Sequence, residues 1–332
     1  MTIALDAMGG DHAPTRIIQG AEQAVEQMNV HVVLVGHSEI IKQHLNPHPN
    51  ISIVHASEAI SMDESPLQAF KKKKDSSIHV GLNLVKEGNA DAFLSAGNTG
   101  AVMSCSLFIL GRIPGVDRPA LASVIPTKKG HALMLDMGSN VDSKPNHLEQ
   151  YAMMGHFFSQ QVLHVDQPKV GIINIGEEEE KGNQLTQDTF NLLKENSVVN
   201  FVGNLEGKDI LFHKADVIVC DGFVGNALLK FGEGLVDFML GEIKEGILSG
   251  PLSAKIGGWL LKPVFKKIKK RIDYEEYGGA PLLGINGISL VAHGKSKEKA
   301  IVSAIRTAVE CAETKMIHKI SAAIQKTDHV HQ

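Results

Sequence analysis

Short apolar runs in this chain end again and again in turns of Gly, Asn, Ser and Asp, at residues 4–11, 94–100, 135–140, 172–177 and 219–226. Between them lie stretches with helical periodicity. Strand-like runs are expected near 3–5, 31–35, 51–55, 92–95, 121–125, 132–135, 169–174, 200–203, 217–220 and 288–292. This βα rhythm restricts the chain to an α/β fold with a mostly parallel sheet, because parallel neighbours need a crossover that a helix supplies. In such sheets ligands bind beyond the carboxyl ends of the strands, where the turns gather and helix N-termini present unpaired N–H groups. Glycine lets the backbone approach a ligand, and Asn or Ser adds neutral donors. An anion is the expected guest, and phosphate the first candidate.

At 332 residues the length allows two domains or one doubly wound sheet with an insertion. The expectation adopted is a single α/β/α domain over 1–332, with 252–272 as a basic amphipathic helical insertion. Hydrophobic residues make up 43% and charged residues 21%, which is ordinary for a globular chain, and a net charge of −4 gives no general attraction to nucleic acid. Cys105, Cys220 and Cys311 are odd in number and widely spaced, without zinc or redox spacing, and suit a reducing cytoplasm. The start of the chain has no secretory pattern, and no apolar run reaches transmembrane length.

Several turns carry candidate chemistry. In 95–100, Ser95, Asn98, Thr99 and the backbone at Gly97 and Gly100 leave a strand and open a helix, so they can converge on an oxyanion. Gly138, Ser139 and Asn140 form a second such turn. Lys181 follows four glutamates at a strand-to-helix junction and can neutralise phosphate or a developing oxyanion; a solvated charged loop is the alternative. Asn226, in the turn that opens a long helix near 223–247, can donate to a carbonyl oxygen or serve only in a cap. Asp6 and Asp11 flank one Gly-Gly turn, and Asp136 and Asp142 another, but their spacing matches no calcium loop and no metal is expected. Cys220 reads as a small core residue, and no GxSxG elbow occurs, so the chain lacks a covalent nucleophile.

In 252–272 apolar residues recur every four positions, including Leu252, Ile256, Leu260 and Val264, with Trp259 beside them. Lys266, Lys267 and further basic residues cover the other faces. Pro263 is expected to break the segment into two short helices. Ile256, Trp259, Leu260, Lys266 and Lys267 are candidates for contact with an anionic membrane; a dimer-packing helix and a docking surface for an acidic protein remain open.

The motifs at 6–14, 95–101, 111–113, 118–121, 181–183 and 277–280 together, in this order, resemble those of bacterial phosphate acyltransferases, the acyl-ACP:phosphate transacylases of phospholipid synthesis. The resemblance implies an α/β/α sandwich of the phosphotransacetylase-related, isocitrate/isopropylmalate dehydrogenase-like kind. It also implies a homodimer, no cofactor, and transfer of a fatty acyl group from acyl carrier protein to inorganic phosphate. Lys181 and Asn226 match positions that the family associates with activity. The cysteine usage and the basic amphipathic 252–272 lead to the expectation of a cytoplasmic protein peripherally associated with the membrane, and hand-off of product to a membrane glycerol-3-phosphate acyltransferase is expected beside it. A short-chain phosphotransacetylase acting on acyl-CoA, a dehydrogenase of the related fold and a non-catalytic scaffold are the competing readings.

Overall fold

The computed structural model describes residues 1–272, 278–314 and 316–328; Tyr277 lies outside them. The first half of the chain runs β1 (Thr2–Asp6), α1 (Thr15–Gln27), β2 (His31–Gly36), α2 (Ser38–His44), β3 (Ile51–His55), α3 (Pro66–Lys72), α4 (Ser77–Lys86), β4 (Ala92–Ser95) and α5 (Thr99–Leu110). It continues with β5 (Ala120–Leu121), β6 (Ser123–Thr127), β7 (Gly130–Leu135), α6 (Pro145–Gln161), β8 (Lys169–Ile173), α7 (Gln184–Glu195), β9 (Asn200–Leu205), α8 (Gly207–Phe212) and β10 (Val217–Val219). Last come α9 (Gly222–Ser249), α10 (Leu252–Ile272), β11 (Ala280–Leu283), β12 (Ser289–Val291), α11 (Glu298–Glu313) and α12 (Met316–Asp328).

Two sheets result, ordered β3-β2-β1-β4-β12-β11-β5 and β6-β7-β10-β8-β9. The antiparallel pairs are β11 with β12 and β5, and β6 with β7, and the remaining pairs of both sheets are parallel. Parallel strands covered on both faces must be apolar throughout, as Ala4-Leu5, Phe93-Leu94, Leu133-Met134-Leu135 and Val217-Ile218-Val219 are, all within 2% of full burial. One hydrophobic cluster runs from Ala101, Val102 and Cys105 of α5 to Leu121, Met137 and Cys220, and Val224 packs against it. The carboxyl ends of the two sheets therefore share a core.

Three expectations need correction, and one strand was missed. Leu252–Ile272 is one helix with Pro263 inside it. Proline removes one backbone donor and crowds one carbonyl, which bends a helix without ending it when the bonds on either side persist. Helical periodicity from about Lys295 to Ile324 leads one to expect a single closing helix, but it divides into α11 and α12. The run near 121–125 splits into β5 and β6, and β11 was not anticipated. Pro281 carries no N–H, yet it pairs with Leu290 and its carbonyl accepts from the Ala122 N–H at 3.0 Å.

Candidate active site

At the first sheet's rim, buried Asp6 ties two strand ends together. Its carboxylate accepts from Ser95 Oγ at 2.7 Å and from the Met8 N–H at 3.0 Å, and Ser95 Oγ in turn accepts from the Gly97 N–H at 3.0 Å. Burial raises the Asp6 carboxyl above its ordinary range, against the lowering effect of these hydrogen bonds. A methyl on Gly9 would overlap the Asp6 carboxylate and stand 2.8 Å from the Gly97 nitrogen, so the 6–11 and 95–100 loops close on each other. Asn98 is also committed. Its Nδ2 donates to the carbonyls of Ser61, Met62 and Glu64 at 3.0–3.2 Å, and its Oδ1 caps α5 by accepting from the Ala101 N–H at 3.0 Å. Of the proposed anion ligands here, Thr99 is exposed and Gly100 half-buried, both in the first turn of α5.

The second rim forms where β7, β10 and β8 end level with one another, Val219 pairing with both Leu135 and Ile172. Asp136, fully buried, accepts from the N–H groups of Leu121, Ser139 and Asn140 at 3.1, 3.1 and 2.7 Å, and also from Ser139 Oγ and from Asn140 Nδ2 at 3.0 Å. Asn140 Nδ2 reaches the Pro119 carbonyl as well, at 2.7 Å. The side chains of Ser139 and Asn140 thus serve the Asp136 carboxylate, leaving Gly138 as the exposed member of its turn.

Gly138 faces Asn226, whose Cβ and amide carbon would lie 3.4 and 3.6 Å from a Cβ added there. Asn226 is exposed, and no hydrogen bond holds its amide among the described residues. It sits in the second turn of α9, whose first turn is capped by Asp221 Oδ1 accepting from the Phe223 and Val224 N–H groups at 2.9 and 3.0 Å. A methyl on Gly225 would overlap the Asp136 carbonyl oxygen, so this helix can lie so close to β7 only with glycine there.

On the other side of β10, the loop after β8 carries Lys181. Asn174 Nδ2 donates to the Lys181 carbonyl at 3.0 Å, and Asn183 caps α7 by accepting from the Thr186 N–H at 3.0 Å. The neighbouring glutamates are paired elsewhere: Glu177 with Lys214 at 2.6 Å and Glu179 with Lys194 at 2.9 Å. Lys181 is exposed and has no carboxylate partner among the described residues. Between the two flanks a cavity of about 430 Å³ opens, lined by Leu148, Asn174, Ile175, Asn183, Asp221 and Val224 among others. Cys220 borders it, but burial first and then the charges of Asp221 and Asp136 push its thiol well above the usual range, so it is no thiolate.

Two features of this rim go unsignalled in the sequence. Asp136 reads there as one more turn aspartate, and Gly225 as one more turn glycine. Glu177, Glu206 and Asp209 also converge, their ligand atoms within 4.8 Å of one another, but Lys214 occupies the group at 2.6 Å from Glu177 and 2.9 Å from Asp209.

Comparison with known proteins places this geometry. A solved phosphotransacetylase from Streptococcus pyogenes superposes with a TM-score of 0.61 at 15% identity, covering 94% of each chain. A branched-chain phosphotransacylase from Enterococcus faecalis V583 gives 0.61 at 13% identity, over 94% of this chain and 99% of that one. These likenesses establish the fold, the one the resemblance implies. In sequence, phosphate acyltransferases of Desulfitobacterium hafniense (strain DSM 10664 / DCB-2) and of Nostoc sp. (strain PCC 7120 / SAG 25.82 / UTEX 2576) are 52% and 49% identical, over 98% and 96% of this chain and 98% and 95% of theirs. A family model described as "Fatty acid synthesis protein" matches residues 1–319. The chain belongs to the phosphate acyltransferase family, enzymes that transfer an acyl group to phosphate.

Proposed function

We propose that the donor is a fatty acyl-ACP and that bound inorganic phosphate attacks its thioester directly, without an acyl-enzyme. The observation that carries this is Lys181, without a carboxylate partner among the described residues, in a loop where Glu177 and Glu179 are drawn off by Lys214 and Lys194, across the end of β10 from the equally free Asn226 amide. Phosphate dianion is a competent nucleophile near neutral pH, so the protein has to orient it and stabilise the tetrahedral oxyanion. Phosphate lies between the first turn of α5, with Thr99 and Gly100, and the Gly138–Asn226 pair, the two ends joined by the shared core. Lys181 and Asn226 stabilise the oxyanion. As the tetrahedral intermediate collapses, the carbon–sulfur bond breaks and the carrier leaves as its thiolate. Buried, protonated Cys220 takes no part.

The α9–α10 hairpin seats the enzyme on anionic membrane, where product passes to a membrane glycerol-3-phosphate acyltransferase. Trp259 is 72%, Leu260 62% and Ile256 51% exposed, and Lys266 and Lys267 are exposed beside them. No helix of the described residues is long and apolar enough to cross a membrane. The exposed Phe231, Phe238 and Met239 of α9 supply the homodimer contact.

The reaction is tested with purified protein and acyl-ACP. Free carrier and acyl phosphate should appear together and only with phosphate present; equal release in phosphate-free buffer would mean hydrolysis. Trp259→Glu with Leu260→Glu should abolish co-sedimentation with anionic vesicles while leaving the dimer and soluble turnover intact.

A further inference from the structure

A second cavity, of about 730 Å³, lies against a different face of α6 from the one just described. Consecutive residues of that helix divide the two: His147 lines this cavity and Leu148 the other. Its walls carry Arg112, Arg118 and Lys144, with Leu107 and Phe108 forming an apolar side. One acid, Asp117, is present, and its carboxylate already accepts from Asn146 Nδ2 at 2.6 Å while its backbone carbonyl takes Arg112 Nη1. Neither Arg118 nor Lys144 pairs with a carboxylate among the described residues. His147 is 7% exposed, and its Nδ1 accepts from the Lys144 N–H at 3.1 Å, which leaves Nε2–H as the ring's donor. Three cations against one occupied anion, on a chain of net charge −4, make a local positive site. The 17-residue helix α6 starts at its edge and adds the field of its N-terminus.

The geometry points to a binding site for the phosphate of the donor's pantetheine arm, separate from the acceptor phosphate. This rests on the proposed thioester donor. Arginine forks match a phosphate bidentately, and the Leu107–Phe108 wall suits the gem-dimethyl group that follows the phosphate along the arm. One helix with its side chains is about 10–12 Å across, and the extended chain from phosphorus to sulfur in pantetheine exceeds that. An arm anchored here therefore rounds the N-terminus of α6 and delivers its sulfur to the cavity bordered by Leu148 and Asp221. Arg118, just before the Pro119 whose carbonyl holds Asn140, lies on that route.

The test is a donor series with wild type, Arg118→Gln and Lys144→Gln: acyl-ACP, acyl-4′-phosphopantetheine and acyl-pantetheine, each with saturating phosphate. In wild type, loss of the phosphate from the small donors should raise KM about tenfold, the scale of one charge-assisted hydrogen bond. In the variants the two small donors should have equal KM, with kcat and the KM for inorganic phosphate unchanged. Equal KM for both small donors in wild type would overturn the site, and if acyl-ACP were still favoured it would assign recognition to the carrier's acidic surface. A raised KM for inorganic phosphate in the variants would move the acceptor here and likewise overturn it. So would loss of the dimer in the variants without change in donor KM. Absence of any acyl phosphate from wild type would instead fail the donor reading itself. Both substituted residues are exposed, so thermal melting should be unchanged and the kinetic comparison stands on folded protein.

Discussion

The rims of the two sheets use the same vocabulary and spend it differently. At the first, Asp6, Ser95, Gly97 and Asn98 satisfy one another and the neighbouring 61–64 loop, and Gly9 leaves no space beside them. At the second, Asp136 draws in Ser139, Asn140 and the Leu121 N–H, but Asn226 stays exposed opposite Gly138, and a cavity opens beside it between Asp221 and Val224 on one flank and Asn174 and Asn183 on the other. A buried carboxylate in such turns is a structural tie, and the proposed mechanism uses the polar groups that the tie leaves without an intramolecular partner.

The comparison breaks most visibly at its ties. Asp136→Ala removes the acceptor of the Ser139 and Asn140 N–H groups and one of the two acceptors of the Leu121 N–H and should cost about 3–5 kcal/mol in urea unfolding, whereas Asp6→Ala strands fewer and should cost about 2. Similar losses would deny that the second tie organises more of the structure. Lys181→Ala and Asn226→Ala should each lose about 10²–10³ in turnover with melting temperature unchanged. Thr99→Ala, on the first rim, should lose less, through a raised KM for phosphate. Cys220→Ala should retain turnover, because its thiol is buried and protonated; a folded but inactive variant would restore acyl-enzyme chemistry.

The smallest effect is one of pH. His79, behind the first rim, is held below the usual imidazole value of 6.5 by burial and then by the charge of Lys74. Folded, it resists a proton that the unfolded chain accepts, so its contribution is complete above pH 6.5 and is lost as pH falls below that value. Wild type should therefore lose roughly 1–2 °C more per pH unit than His79→Gln between pH 6.5 and 5.5. Parallel curves would show that the imidazole does not titrate with unfolding.

Much of this was legible in sequence, for specific reasons. Strand and helix alternation follows from local periodicity, and Lys181 stands in a motif whose order among the others is distinctive, while Asn226 stands out only as part of a turn that opens a long helix. Which strands share a sheet was not legible, since runs such as Leu133-Met134-Leu135 and Phe93-Leu94 are equally apolar and name no partner. Ser139 and Asn140 were legible as donors but not their acceptor, because Asp136 meets them only after the chain has turned. Pro281 concealed β11, since a proline in a four-residue strand reads as a turn.

The α9–α10 hairpin is a beam clamped at its feet. One foot is Gly225, wedged against the Asp136 carbonyl; the other is Arg271, which donates to the carbonyls of Thr127 and Lys128. Only Gly222 and Gly225 of α9 are buried, and a 28-residue helix extends about 42 Å. Deflection of such a beam grows toward its free bend, near Gly250, and vanishes at the clamp. Any bending therefore falls on the tip, while Asn226, one residue from the clamp, keeps its place opposite Gly138.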